Sequence, residues 1–315
     1  MIYLITGTSG YVASYILKQF LKEGHTVIGI DRVSSKEYRK LKEDYKDKFH
    51  FHKLNILSNE LKTIFNSFDI DTVFHYAGNP DSRLGIESPT TDIEDNLLAT
   101  INLLNNMKKN GVKKIVYAST ANIYWKTNDG SDTEISAGTI QGSTYSAAKA
   151  SCESFISSYC ELYDFKSWIL RYATMIGGKN NKTHIADFYR QLIEDPTHLK
   201  CLSDGSQIKN FIHVEDAVSA TIHIYKNTFN KVNVFNVCTD ETISLKESIS
   251  LICSCLNVSP EIDYKKASIG WRGDRKNKIM SNSKLLKMGW KQSFTIKQAI
   301  ESNIVELRKE SNKNT

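Results

Sequence analysis

At 315 residues the chain exceeds the usual size of one compact domain, so a large domain with a smaller one appended is expected. Lysine and arginine number 41 against 35 aspartates and glutamates, a net charge of +6, with no basic block interleaved with aromatics; this argues against a nucleic-acid partner and leaves a small anionic ligand sufficient. No apolar run approaches a membrane span, and Cys152, Cys160, Cys201, Cys238, Cys253 and Cys255 show no CxxC spacing, so the expectation is a cytoplasmic protein with reduced thiols, no membrane contact and no metal.

The apolar opening MIYLITG is too short for the core of a signal peptide and runs straight into a glycine turn, so it reads as a strand over Ile2–Thr6. Further strands are predicted at 26–30, 49–54, 72–75, 114–118 and 167–170. Between them lie helical patterns. Residues 10–23 place Ile16, Leu17, Phe20 and Leu21 at helical spacing before the stop at Gly24, and 91–110 place Ile93, Leu97, Ile101 and Leu104 on one stripe before Gly111. A third long helix, 145–163, has Cys152, Phe155, Ile156 and Tyr159 as its apolar side. Strands alternating with helices are the signature of βαβ units, hence an α/β fold with a Rossmann-type, doubly wound parallel sheet. Beyond Tyr172 the alternation weakens into shorter, more polar segments punctuated by Gly and Pro, a smaller α/β C-terminal region. The closing KESNKNT reads as a frayed tail.

After the first strand comes TGTSGYVAS. Gly7 allows a tight turn, Gly10 lets a pyrophosphate approach the backbone, and the small Ala13 permits close helix packing, while the amides and dipole of the following helix stabilise the negative charge. A glycine-rich turn can also be merely a turn. Asp31, about twenty residues on at the end of the second strand, can accept both ribose hydroxyls of an adenosine and would repel a 2′-phosphate, which favours NAD over NADP. Arg32 leaves NADP open, since its guanidinium could pair with that phosphate; it could equally be a loop charge. Asn55 is placed either to offer its amide to the adenine or to make a turn.

STYSAAK puts Tyr145 and Lys149 on one helix face, four residues apart. An ammonium beside a phenol lowers a pKa of about 10 toward the working range, so such a tyrosine can take a proton from a sugar hydroxyl while hydride leaves the same carbon. On spacing alone the pair could also be a surface pair.

In order, GTSGYVA, Asp31, HYAG (75–78), ASTANIY and the Tyr145–Lys149 spacing resemble the extended short-chain dehydrogenase/reductase family, in its NAD-dependent nucleotide-sugar epimerase/dehydratase branch of UDP-glucose 4-epimerase-like enzymes. LRYATMIGG (170–178), DGSQIKNFIHVEDA (204–217), FNV (235–237), GWRGD (270–274) and MGW (288–290) extend the resemblance over nearly the whole chain. The resemblance implies a nucleotide domain over 1–172, rejoined by 208–240, and a nucleotide-sugar region over 173–207 and 241–315. Thr120 is implied to bond the sugar oxygen, Tyr145 to be the acid/base, and Lys149 to bind the ribose and lower the phenol's pKa. Assigned to the cofactor by the same resemblance are Gly7, Ser9, Gly10, Tyr11, Val12, Asp31, Asn55, Ile56, Tyr76, Ala77, Gly78, Asn96, Ala118, Tyr145, Lys149 and Tyr172. Asn79, Thr120, Thr174, Lys209, Arg272 and Arg275 are assigned to the substrate, the last three as candidate cations for its diphosphate or else as surface charges. His213 is expected to serve packing rather than catalysis.

Several positions depart from the family pattern. Ala121 and Asn122 stand where the dehydratases carry Asp and Glu after the threonine, which leaves elimination without its carboxylates. Trp125 replaces a glycine, Thr174 an asparagine, and Lys209 with Asn210 an Arg-Asp pair; Pro80 and Asp81 occupy a variable stretch on the substrate side. The reading is therefore a nucleotide-sugar epimerase, at C4, serving saccharide biosynthesis and acting through a 4-keto sugar. A 4-keto nucleotide-sugar reductase using NAD(P)H is the alternative, with a 4,6-dehydratase or a non-catalytic dinucleotide-binding protein further off. The family resemblance also implies a homodimer built on the helices at 91–110 and 145–163.

Overall fold

A computed structural model describes residues 1–125, 131–179 and 182–312. The chain opens with β1 (Ile2–Thr6), α1 (Tyr11–Lys22), β2 (Thr26–Asp31), α2 (Tyr38–Tyr45), β3 (Phe49–Lys53), α3 (Leu61–Ser67) and β4 (Thr72–His75). α4 (Leu84–Glu87), α5 (Pro89–Asp92), a π-helical segment (Ile93–Leu98) and α6 (Ala99–Lys109) lead to β5 (Lys114–Thr120), then α7 (Thr144–Tyr163) and β6 (Lys166–Tyr172). Each predicted strand is present, with ends moved by at most two residues; the short helices α2 to α5 carry too few turns to show a stripe.

Seven strands form one sheet in the order β11-β6-β5-β4-β1-β2-β3, where β11 is Val232–Val237. β1 pairs in parallel with both β2 and β4, so that Thr6 lies beside Ile30 on one side and His75 on the other. From β1 the chain winds outward through β2 and β3, then restarts at β4 and winds the other way. That reversal makes β1 and β4 the switch point, where ligands of such sheets bind at the carboxyl ends of the strands.

Two compact units make up the chain. The first comprises 1–123, 140–171 and 221–235. Its core joins Leu4, Ile28, Val73, Ile115 and Ile169 of the strands to Leu103, Leu104 and Met107 of α6 and Cys152, Ile156 and Cys160 of α7. On the other side of β1, Tyr3 packs on Phe20 of α1 with ring centroids 4.4 Å apart, and Phe20 meets Phe74 at 4.8 Å.

The helix predicted over 91–110 departs most from expectation. The π-helical segment lodges one extra residue in the turn and rotates the remainder of the helix by about 100°. Asn96, Ala99, Thr100, Leu103, Leu104 and Met107 are buried, while Ile93 is 49% exposed. On α7 the buried face is Ser146, Lys149, Cys152, Glu153, Ile156 and Cys160, and Phe155, expected inside, is 42% exposed.

The second unit comprises 124–139, 172–220 and 236–315. β7 (Thr174–Ile176), α8 (His184–Glu194), β8 (His198–Cys201), β9 (Ile208–Lys209), β10 (Phe211–His213), α9 (Val214–Asn227), β12 (Ile243–Ser244), α10 (Leu245–Leu256), β13 (Glu261–Tyr264), β14 (Asn277–Lys278), α11 (Ser283–Lys287) and α12 (Ile296–Ser311) complete the chain; α9 crosses from the second unit into the first. Small sheets pair β7 with β10, β13 with β8, and β9 with β12 and β14. Ile185, Leu192, Ile249, Ile252, Ile300 and Ile304 form its core under α8, α10 and α12. His213 stacks on Phe294 at 3.8 Å, a packing role. The tail expected to fray from Lys309 is helical to Ser311, and 313–315 lie outside the described residues. All six cysteines are free. Among the described residues no helix is long and apolar enough to cross a membrane, and no group of three or more His, Cys, Asp or Glu is arranged to hold a metal ion.

Candidate active site

At the carboxyl end of β1, Gly7 takes φ +73°, and a Cβ there would fall 2.7 Å from the Ala77 main-chain nitrogen. Any side chain would force the β1 turn away from the segment after β4. Gly10 caps α1 with no side-chain bond to its first turn, and a helix start without a side-chain cap suits an anion. At the end of β2, Asp31 accepts the Ser9 amide at 2.9 Å on one oxygen and the Val33 amide at 3.0 Å on the other. This fixes the carboxylate and leaves each oxygen a lone pair for a hydroxyl. Arg32 is not a free loop charge, because it donates to Asp95 of the π-helical segment at 3.1 Å.

Asn55 is exposed, and its Oδ1 accepts the Leu57 amide at 3.0 Å, which is the turn alternative; Ile56 beside it is buried. Tyr76, Ala77 and Gly78 follow β4 and are half-buried, with the Ala77 amide donating to Thr6 Oγ1 at 3.2 Å. That hydroxyl also bonds Nδ1 of buried His75 at 2.7 Å, and His75 Nε2 bonds Thr100 at 3.0 Å. Burial, with the nearby charge of Lys149, pushes the imidazole pKa down to about 3. Asn96 is buried, donates to Asp92 at 3.1 Å, and keeps an Oδ1 without a hydrogen-bond partner. A glycine cradle, a helix start without a side-chain cap, an oriented carboxylate at the second strand's end and an orphaned buried amide oxygen fit a dinucleotide.

β5 ends on Thr120, whose Oγ1 accepts the Asn122 amide at 3.2 Å. α7 begins where it does because of a reciprocal cap: the Ser143 side chain accepts the Ser146 amide, and the Ser146 side chain accepts the Ser143 amide. The helix phase then sets Tyr145, Lys149 and Glu153 in one row. The Thr120 hydroxyl is near enough to the Tyr145 phenol to pull its pKa down, while Lys149 Nζ donates to the Ala118 carbonyl at 3.0 Å and lies 4.9 Å from the centre of the Tyr117 ring.

The electrostatics correct one expectation. Burial pushes the Tyr145 phenol up to about 12; the Thr120 hydroxyl pulls it down and the negative charge of Asp92 pushes it further up. Burial also lowers the pKa of Lys149 against the opposing pull of Cys152, Asp92 and Glu153. The protein alone thus holds Tyr145 protonated rather than tuned toward neutrality.

Sequence reasoning missed two carboxylates. Glu153 forms a buried ion pair with Arg171, Nη2 to Oε2 at 2.6 Å, and accepts a short hydrogen bond from Ser119. This fastens α7 to β5 and β6. Asp92, fully buried, accepts Asn79 at 2.9 Å and Asn96 on one oxygen and Thr144 at 2.7 Å on the other. Glu153 had a signal, since it continues the four-residue step from Lys149; for Asp92 the cue was only its place four residues before Asn96.

Of the residues assigned to the substrate, Asn79 has its amide engaged by Asp92 and by the Asp81 main chain. In the second unit Thr174 and Arg272 are exposed. Lys209 is paired with Asp274 at 3.1 Å, and Arg275 with Asp132 at 2.7 Å and with the Tyr124 carbonyl. Burial and the like charge of Lys209 push neighbouring Lys278 down to about 7. Tyr172 is buried at the end of β6.

A model of the NAD dependent epimerase/dehydratase family matches residues 3–238. A UDP-glucuronate 4-epimerase of Thermodesulfobacterium geofontis is 31% identical over 227 residues, 70% of each chain. A UDP-glucose 4-epimerase of Mycolicibacterium smegmatis is 24% identical over 98% of this chain and 99% of its own length. Among solved structures, the Thermus thermophilus UDP-glucose 4-epimerase in complex with NAD superposes with a TM-score of 0.84 at 25% identity, covering 98% of this chain and 99% of that one.

Proposed function

The chain belongs to the NAD-dependent epimerase/dehydratase family, with NAD as its cofactor, and from that premise we propose that it is a C4-epimerase of UDP-sugars. One observation carries the reading. The Thr120 hydroxyl stands by the Tyr145 phenol, Lys149 lies four residues on from Tyr145, and the two positions after Thr120 are Ala121 and Asn122 instead of carboxylates. The site has a proton-transfer group and no elimination pair.

Bound NAD supplies a hydride acceptor and donor. Thr120 holds the C4 oxygen, and Tyr145 takes the hydroxyl proton as the C4 hydrogen departs with its electron pair, leaving a 4-keto sugar. Lys149 places positive charge beside the phenolate as it forms. The ketone presents its opposite face, the hydrogen returns to C4, and Tyr145 gives the proton back to oxygen. Nothing is consumed.

UDP is the nucleotide proposed because both curated relatives, from T. geofontis and M. smegmatis, are UDP-sugar epimerases. The diphosphate falls to the cations of the second unit, Lys209, Arg272 and Arg275. Asp31 and the Arg32–Asp95 pair support NAD over NADP, which disfavours a reductase. The functional form is proposed to be a homodimer, on the strength of exposed Ile93, Leu98, Phe155 and Leu162 on the two long helices.

The test incubates the purified protein, with no added cofactor, with UDP-glucose and separately with UDP-glucuronate, reading products by NMR and nicotinamide by absorbance. The C4 epimer of one substrate without net change in nicotinamide is expected. Stoichiometric consumption of added NADH or NADPH with a 4-keto UDP-sugar would replace this reading with the reductase.

A further inference from the structure

Asp92 has no exposed surface, yet it lies among the groups that flank the reacting pair. Three donors converge on its two oxygens: Asn79 and Asn96 on Oδ1 and Thr144 on Oδ2. They come from three parts of the first unit, namely the loop after β4, the π-helical segment and the first residue of α7. Gly85 of α4 is packed so tightly over the spot that a Cβ there would fall 2.4 Å from Asp92 Oδ2. A buried carboxylate is costly, and each hydrogen bond to it is charge-assisted, so the arrangement holds the α7 entry firmly.

We propose that Asp92 is a positioning residue for the reacting pair: its carboxylate anchors the first turn of α7 through Thr144 and stands near Tyr145 and Lys149. The proposal rests on the acid/base reading of Tyr145. Its logic is a restraint on proton loss. The charge of Asp92 disfavours the phenolate of Tyr145 and favours the ammonium of Lys149. The other groups facing the pair are Tyr117 of β5, His75 of β4, and Cys152 and Glu153 of α7, with Glu153 neutralised by Arg171. Asp92 is thus the acidic group near the pair with no cation of its own among its hydrogen-bond partners. Tyr145 accordingly stays protonated in the protein alone, even with Lys149 four residues away.

Asp92→Asn tests this, because the amide keeps the shape and can still meet all three partners while removing the charge. Two readouts are used: the Tyr145 titration by ultraviolet difference against Tyr145→Phe, and the pH profile of kcat. Asn is expected to move the Tyr145 midpoint and both limbs of the profile toward acid by about 1 pH unit. Unmoved midpoints in a folded Asp92→Asn protein would overturn the electrostatic role. Thr144→Val keeps the charge and cuts the anchor; it is expected to lower kcat about tenfold with midpoints in place, and an unchanged kcat would overturn the anchoring. It also keeps the proposal open to refutation should Asp92→Asn fail to fold. Full turnover by Tyr145→Phe would instead remove the acid/base reading itself, an outcome distinct from either failure.

Discussion

The Lys149 ammonium donates to the main-chain carbonyl of Ala118 across 3.0 Å, and that bond ties α7 to the end of β5 where Thr120 stands. It fixes the ammonium beside the strand end and next to the Tyr117 ring. Burial pushes the Tyr145 phenol up to about 12.

Tyr145 in the NAD-free protein is therefore expected to titrate well above the ordinary tyrosine range. The sign is set by charge: burial penalises the phenolate, and a cationic nicotinamide opposes the penalty, so saturating oxidised NAD is expected to lower the midpoint. Ultraviolet difference titration against Tyr145→Phe measures it. A midpoint already near neutrality without cofactor would contradict the structure.

Glu153→Ala is expected to destabilise the protein by about 3–5 kcal/mol, because it strands the Arg171 guanidinium in the interior. Arg32→Ala breaks an exposed pair and is expected to cost about 0–1 kcal/mol. Urea unfolding of the two variants, compared with the parent, reads the difference directly.

Much of this was legible in the sequence because the signals were local. The glycine turn, Asp31 and the step from Tyr145 to Lys149 are spacings along one strand or helix, and the structure brings Thr120 to Tyr145. Asp92 was not legible, and Glu153 only through its step of four from Lys149. Each is a carboxylate on a helix, and its burial depends on Asn79, Arg171 and Thr144 arriving from elsewhere. The inner face at the π-helical segment hid as well: polar Asn96 is buried and apolar Ile93 exposed, the reverse of what an apolar stripe marks. The fall of Tyr145 expected from Lys149 failed because spacing reports a neighbour and not the loss of water around both.

Three histidines should make the fold acid-sensitive. Burial pushes His75 and His184 down to about 3 and His213 to about 4, so the native state resists protons that the unfolded chain binds near pH 6.5. Folded-state pKa values below the unfolded one mean stability is intact above about pH 6.5 and is lost as pH falls toward 3, by up to about 1.4 kcal/mol per pH unit for each histidine. Denaturant unfolding at stepped pH measures the slope. His75→Gln, which cannot bind that proton, is expected to flatten it.

The exposed side chains Ile93, Leu98, Phe155 and Leu162 are expected to be covered in solution by a second copy. Light scattering coupled to size exclusion is expected to give twice the chain mass, and Phe155→Glu with Leu162→Glu to return it to the monomer value. A monomer at all concentrations would contradict the dimer.

The central claim is that hydride leaves C4 and comes back to the same carbon with Tyr145 moving the proton. UDP-glucose and UDP-glucuronate, each carrying deuterium at C4, test it most directly when incubated in ordinary water with the protein and no added cofactor. The expected result is a C4-epimerised product that keeps its deuterium at C4. Epimer that has exchanged the label with solvent, or a 4-keto product with no epimer, would contradict it.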